Sequence, residues 1–254
     1  LGEVPVSQLA YHAREALPEG DLRKAVTYCS EAAEGAARTC ALADATRYLQ
    51  HAREALDLIE DASPQQHFDL LLRQASFERG HGSGDLSPLA EQLLHLAREQ
   101  GGGAPLAQAC LLLDPFPGFP RLPVLRDAMT EALRNLPEDA PGTRAALLAR
   151  LTSSVPPAHH AAADHTAQLE RALALAGRSP DPTARFRAHF AELYCYGGPA
   201  HKDRSAAAVQ ALLGMCNEHV AAPMVPMLLD LHRALCALQT GELATMARAL
   251  ERCE

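Results

Sequence analysis

The chain has 254 residues, of which 48% are hydrophobic and only 4% aromatic, and it contains no tryptophan. The apolar residues are therefore mostly alanine and leucine, which favours closely packed helices over sheets. A formal net charge of −8 and the lack of a basic run argue against nucleic acid as a direct partner. No apolar run approaches the ~18 residues of a membrane-spanning helix, so we expect no membrane partner.

The termini and the cysteines indicate a cytoplasmic protein. The chain opens on Leu1-Gly2-Glu3 without a charged and then apolar signal segment, so we expect a protein that is not secreted. Because it starts at Leu and not at Met, we expect a fragment of a longer protein. Its seven cysteines are odd in number, widely spaced and without a Cys-x-x-Cys pair. We therefore expect reduced thiols that act mostly as small buried hydrophobic groups.

Apolar residues recur at steps of three and four along most of the chain, and no segment alternates apolar and polar residues as a strand does. Asp21 and the pair Ser63-Pro64 are typical helix starts, while Gly101–Gly103 ends a helix. We predict about a dozen helices, over about 7–17, 21–38, 42–59, 64–79, 87–100, 105–113, 123–136, 141–153, 160–176, 179–194, 202–216, 223–239 and 242–252, some of these ranges including a cap.

A small–large–small pattern of side chains recurs along these helices. Its copies are Ala45/Leu49/Ala52, Ala90/Leu94/Ala97, Leu125/Met129/Ala132, His165/Leu169/Ala172 and a final Ala249. Successive closing alanines lie 45, 35 and 40 residues apart, against ~34 in a strict tetratricopeptide repeat (TPR). We predict an all-α, right-handed superhelical solenoid of TPR-like helical hairpins, with 1–254 as one domain and a possible subdivision near 101–122.

The segment from Leu9 to Leu58 resembles the tetratricopeptide-like C-terminal regions of large bacterial signal-transduction ATPases of the antibiotic-regulator and LuxR-like type. A "D-x-x-K-A-V-x-Y" helix is matched by Asp21, Lys24, Ala25, Val26 and Tyr28, and an "A-x-x-Y/L-x-x-A-L" helix by Ala45, Tyr48, Leu49, Ala55 and Leu56. Residues 196–201 resemble the "W-G-P-x-H" break of that family. The resemblance implies a module that senses an inducer or a partner and restrains or releases an attached ATPase.

Few residues point to chemistry. Gly101–Gly103 lacks the Lys-Ser/Thr and the preceding strand of a phosphate-binding loop. The cluster His159, His160, Asp164 and His165 is the best metal-like group, but a solvated helix start explains it more simply. We therefore predict no catalytic residue, no cofactor and no metal.

Partner contacts are predicted at Arg187, Tyr194 and Tyr196, because Arg and rigid aromatic side chains often anchor partners. The alternative is that these aromatics simply pack at the helix break before Pro199. Phe116 and Phe119, between prolines, are interpreted as a plug over the edge of the superhelix or as an exposed anchor.

The favoured hypothesis is a non-catalytic protein-interaction and sensing module of a larger bacterial regulatory ATPase or transcriptional regulator. Its partner is a protein, a peptide or the parent protein's own ATPase domain. The alternative is a receptor domain that binds a small-molecule inducer. An enzyme on a helical scaffold and a purely structural scaffold remain open.

Overall fold

The computed structural model describes residues 4–81, 87–113, 124–154, 163–196, 199–216 and 225–252. Over these ranges it is all-helical, without a strand, as predicted. Its thirteen described helices are α1 Val6–Glu15, α2 Leu22–Arg38, α3 Leu42–Asp57, α4 Pro64–His81, α5 Ser87–Glu99, α6 Gly103–Leu113, α7 Val124–Asn135, α8 Pro141–Ser153, α9 Ala163–Gly177, α10 Pro182–Cys195, α11 Lys202–Cys216, α12 Val225–Thr240 and α13 Leu243–Glu251. A short 3-10 turn, Pro199–His201, precedes α11.

Side chains cap the helix starts where the sequence predicts them. The Asp21 carboxylate accepts a hydrogen bond from the Lys24 backbone N–H at 3.1 Å. The backbone N–H of Ser63 donates to the Gln66 side chain at 2.9 Å, and the Gln66 N–H donates to the Ser63 hydroxyl at 3.3 Å. This reciprocal pair is a capping box, which satisfies backbone donors that have no partner inside the helix.

Three helix ends share one backbone motif. After α2, the N–H groups of Cys40 and Ala41 donate to the carbonyls of Ala37 and Ala36, and the same pattern recurs at Gly101 and Gly241. The turning residue is left-handed in each case, with φ of 58° at Cys40, 88° at Gly101 and 77° at Gly241. This is the Schellman motif, in which glycine is usual and a cysteine is strained. The predicted breaks at these points are confirmed.

Residues 1–113 form one compact unit, which holds α1–α6. Its core lies along α3, where Ala45, Leu49, Ala52 and Leu56 are all at most 1% exposed. Arg53 joins three helices, since its guanidinium donates to the side-chain oxygens of Gln74 on α4 at 2.8 Å and Gln92 on α5 at 3.0 Å. The predicted apolar stripe of α3 is thus the centre of this unit.

Residues 114–254 form the second unit, with α7–α13. Its central helix is α8, whose residues 145–153 are all buried between α9 and α10. Gly142 lies so close to the α9–α10 connection that a Cβ there would stand 2.6 Å from the Ser179 hydroxyl oxygen. A side chain at this position would displace the Ser179 hydroxyl, which accepts a hydrogen bond from the Asp181 backbone N–H at 3.1 Å.

The residues of the small–large–small pattern are core positions in both units. Its large members Leu94, Met129 and Leu169 are each 1% exposed, and the alanines that follow them are fully buried. Ala249 is fully buried as well, while His165 is half-buried. The chain divides into its two compact units between Leu113 and Asp114. The right-handed superhelix and the arrangement as one domain stay predictions.

Within the described ranges, no helix combines the length and the apolar character that a bilayer crossing requires.

Candidate functional site

A cavity of about 420 Å³ lies between α11, α12 and α13 in the second unit. That volume is within the range of small-molecule sites, which is roughly 300–1,000 Å³. Three helices contribute to its wall, and the lining side chains include Lys202, Ser205, Ala206, Val209, His232, Arg233, Cys236, Ala237, Arg248 and Arg252.

The floor of the cavity is polar but uncharged. The Ser205 hydroxyl oxygen lies 3.3 Å from His232 Nε2 and 3.7 Å from Cys236 Sγ, and Ser205 is only 2% exposed. Burial lowers the pKa of His232, so the imidazole is neutral at pH 7. The floor therefore offers a hydroxyl, a thiol and a neutral imidazole in one cluster.

The cationic side chains around the cavity fall into two groups. Asp230 accepts from Arg252 at 2.8 and 3.0 Å and from Arg233 at 3.3 Å, and the hydrogen bonds from Arg252, together with those from Arg233, lower the pKa of this carboxyl. These two arginines are therefore already paired. Lys202 and Arg248 form no ion pair with any described residue, and Arg248 donates to the Thr245 hydroxyl at 3.2 Å.

Ser205 and His232 supply two parts of a nucleophilic site but not the third. Catalysis by such a pair needs an acid that orients the base. Asp230, two residues from His232, is held by two arginines, and within the described residues no carboxylate contacts the imidazole. Within the described residues, the Ser205–His232 pair is thus a hydroxyl beside an imidazole without the third member of a catalytic triad.

A second polar cluster joins α9, α10 and α11. Arg204 donates through Nε to Glu192 at 2.7 Å and through Nη2 to Glu170 at 2.6 Å, and its guanidinium carbon lies 4.0 Å from the centre of the Tyr196 ring. His189 Nδ1 lies 3.2 Å from the other Glu192 oxygen. Burial alone would raise the pKa of Glu192, but the hydrogen bonds from His189 and Arg204 outweigh it and the pKa is lowered.

Two of the three predicted partner residues share one face of a helix, and the third lies beyond the end of that helix. Arg187 and Tyr194 lie two turns apart on α10 and are half-buried. Tyr196 lies just beyond that helix, with its ring stacked against Arg204 and the edge of His201 and packed on the core near Leu169. These contacts of Tyr196 favour the packing alternative, and partner binding by Arg187 and Tyr194 stays a prediction.

Other sequence candidates fall largely outside the described residues. Phe116, Phe119, His159 and His160 all do so, and of the histidine-rich cluster only the side chain of His165 is described. Across the described ranges, no group of three or more His, Cys, Asp or Glu side chains could hold a metal.

A shallow groove of about 560 Å³ lies on the first unit, between α1, α2 and α4. Its charged lining residues balance in sign, with Glu31 and Glu34 against Arg38 and Arg73. Arg73 and Glu34 are already paired at 2.7 Å, which leaves this groove without a dominant charge.

The outer surface of α12 and α13 is the feature that sequence reasoning missed. Six large apolar side chains are 40–61% exposed there, namely Met227, Leu231, Leu235, Leu238, Leu243 and Leu250. The other face of α12 is buried through Leu229, Ala234 and Ala237. A helix that is apolar on two faces is the signal that could have found it, because one packed face needs only one stripe.

The chain was compared with family profiles and with curated proteins, and neither comparison finds a match. The resemblance of residues 9–58 to regulatory ATPases therefore remains a prediction.

Proposed function

We propose that the chain is a non-catalytic interaction module of TPR-like helical hairpins, which binds an amphipathic helix of a partner protein on the outer surface of α12 and α13. The observation that carries this proposal is the stripe of four exposed large apolar side chains on α12, with two more exposed on the neighbouring α13. Large apolar patches are rare on the surface of soluble monomers and usually mark an interaction site.

The spacing of the exposed residues favours a helix as the occupant. Met227, Leu231, Leu235 and Leu238 recur at steps of four, four and three, so they form one stripe on α12. At a rise of about 1.5 Å per residue this stripe is about 16 Å long, or three helical turns. A partner helix with apolar residues at the same spacing would cover it, as in other helix-in-groove complexes.

The burial of the small–large–small positions supports stacked hairpins as the scaffold of this surface. In the same proposal the module is the sensing part of a larger bacterial regulator, and a docked helix changes the activity of an attached ATPase or transcriptional domain. This wider role depends on the resemblance of residues 9–58 alone.

Affinity capture with point variants tests the proposal. The tagged chain, Leu235→Glu and Leu238→Glu are each incubated with lysate of the source cells, and bound proteins are quantified by mass spectrometry. Leu58→Glu is the matched control, since Leu58 is 47% exposed but lies in the first unit. All four chains are first compared by circular dichroism and urea unfolding.

We expect one protein to be recovered at near-equal amount with the unaltered chain and with Leu58→Glu. Its recovery falls at least about tenfold with either α12 variant, because a carboxylate must be desolvated in the interface. Equal recovery by all four chains contradicts the proposal.

The cavity between α11, α12 and α13 favours a second candidate function, a receptor for a small molecule. Its volume and its buried hydroxyl floor are those of a ligand site rather than of a protein-docking surface.

A further inference from the structure

We infer that the cavity between α11, α12 and α13 binds a small organic anion, a carboxylate or a phosphate ester, with Arg248 and Lys202 as its charged anchors. This inference rests on the receptor function proposed above and adds the chemical class of the ligand. It does not depend on protein docking at the apolar surface.

The charge around the cavity is opposite to that of the chain. The whole chain carries a formal net charge of −8, whereas four cationic side chains and two acidic ones, Asp203 and Glu242, line this cavity. Lys202 and Arg248 belong to exposed residues, as do both acids, so water screens all four charges alike. Counting the carboxylate of Asp230, which holds Arg233 and Arg252, four cations stand against three acids. The lining is therefore weakly positive on an acidic protein, which favours small anions.

Two of the cations have no acidic partner to displace. Arg233 and Arg252 are held on the buried carboxylate of Asp230, whereas Arg248 and Lys202 form no ion pair with a described residue. A guanidinium and an ammonium on different helices can approach one carboxylate or phosphate from two sides. The bond from Arg248 to the Thr245 hydroxyl holds the guanidinium side chain on α13 at the cavity.

The floor suits the uncharged part of such a ligand. Ser205, His232 and Cys236 present a hydroxyl, a neutral imidazole and a thiol, and Val209 and Ala237 add apolar surface. These groups can hydrogen-bond a ligand hydroxyl without adding charge. A small molecule with one anionic group and a polar or partly apolar body matches this lining.

Isothermal titration calorimetry on the full chain tests the inference. The anionic probes are citrate and glucose 6-phosphate, the neutral probe is glucose, and sodium chloride holds the ionic strength constant. Arg248→Gln removes one anchor, and Ala206→Phe fills the cavity from an exposed lining position. Arg178→Gln and Ala207→Phe are the matched controls, since both residues are exposed in the second unit but outside the lining.

We expect saturable binding of at least one anion, weakened roughly tenfold or more by Arg248→Gln through loss of a charge-assisted hydrogen bond. Ala206→Phe abolishes the binding, and the two controls keep it. Anion binding that is equal in all variants overturns the inference.

Binding of glucose but of neither anion, blocked by Ala206→Phe, overturns the anion chemistry and leaves the receptor function standing. Absence of binding for all three probes, with all variants folded, overturns the inference that these anions anchor in the cavity. The two failures are thus distinguishable.

Discussion

The charge network at Arg204 gives the sharpest test of how the second unit is held together. Arg204 connects Glu192 on α10 with Glu170 on α9 and covers the ring of Tyr196. Arg204→Met keeps much of the side-chain length but removes the charge and all donors. Among the described residues, the carboxylate of Glu192, which is 9% exposed, then keeps only its contact with His189.

The loss in the free energy of unfolding follows from how buried each contact of Arg204 is. Removing one partner of a buried ion pair costs roughly 3–5 kcal/mol, and the lower end applies here because Arg204 itself is 34% exposed. The bond to the exposed Glu170 adds at most about 0.5 kcal/mol, and the loss of the Tyr196 stacking adds about 0.5–1 kcal/mol. We expect Arg204→Met to lower the free energy of unfolding by about 3.5–4.5 kcal/mol in total.

Hydrogen exchange read by mass spectrometry measures this loss locally, since amide protection reports opening of individual segments. The amides of α9, α10 and α11 are expected to exchange at least about a hundredfold faster in Arg204→Met, because each 1.4 kcal/mol is a factor of ten. Arg23→Met is the matched control. It breaks the Arg23–Asp61 pair, whose side chains are 63% and 75% exposed, and changes protection by less than about tenfold.

A double variant separates the buried charge from simple loss of contacts. Combining Arg204→Met with Glu192→Met removes the unpaired carboxylate, so we expect protection to return to within about tenfold of the unaltered chain. A double variant as unstable as Arg204→Met alone, or a single variant no worse than Arg23→Met, would refute the reasoning.

Three further predictions concern single positions. Gly142→Ala is expected to lower the free energy of unfolding by about 1–3 kcal/mol, because the added Cβ meets the Ser179 side chain in the α9–α10 connection. Gly214→Ala is expected to raise it by up to about 1 kcal/mol, because a Cβ there enters open space beside α11. Urea unfolding measures both changes. Burial lowers the pKa of His232 from its ordinary 6.5, so the unfolded chain binds more protons below that pH and the free energy of unfolding falls as the pH drops below about 6.5. His51, whose pKa burial also lowers, contributes with the same sign, so His232→Gln reduces this dependence without abolishing it. An unchanged pH profile contradicts the assignment. Iodoacetamide at pH 8 is expected to modify the exposed Cys40 of the native protein but not Cys29, because burial raises the pKa of the Cys29 thiol to about 11. Mass spectrometry measures the labelling of each cysteine, and equal labelling would contradict this prediction.

Local patterns were sufficient to predict the helices and much of the core. The three- and four-residue steps of Leu49, Leu94 and Met129 place each on the buried face of its helix, and all three are buried. Asp21 and Ser63 also cap as expected, because a cap depends on residues within one turn.

The residue that turns the chain after α2 could not be predicted from the sequence. The break after α2 was predicted, but nothing identified Cys40 as its left-handed residue, since glycine normally takes that position. The Schellman hydrogen bonds around it stabilise the conformation despite the side chain.

The candidate sites depend on contacts between distant segments, which periodicity does not encode. Ser205 and His232 are 27 residues apart and meet only because α11 packs on α12. Likewise, Leu231 and Leu229 have the same residue type on the same helix, yet the first is 43% exposed and the second is fully buried. Only the tertiary packing decides which face of α12 is covered.

Site-specific photocrosslinking tests the central claim most directly. A photoreactive amino acid replaces Leu235 on the apolar surface of α12 or, as the control, the exposed Arg178. The two chains are expressed in the source cells and irradiated. We predict that the probe at position 235 crosslinks to one partner protein through a helical segment, that Leu238→Glu prevents the crosslink, and that the probe at position 178 gives none. A crosslink to a second copy of the chain, or the same products from both positions, would contradict the account.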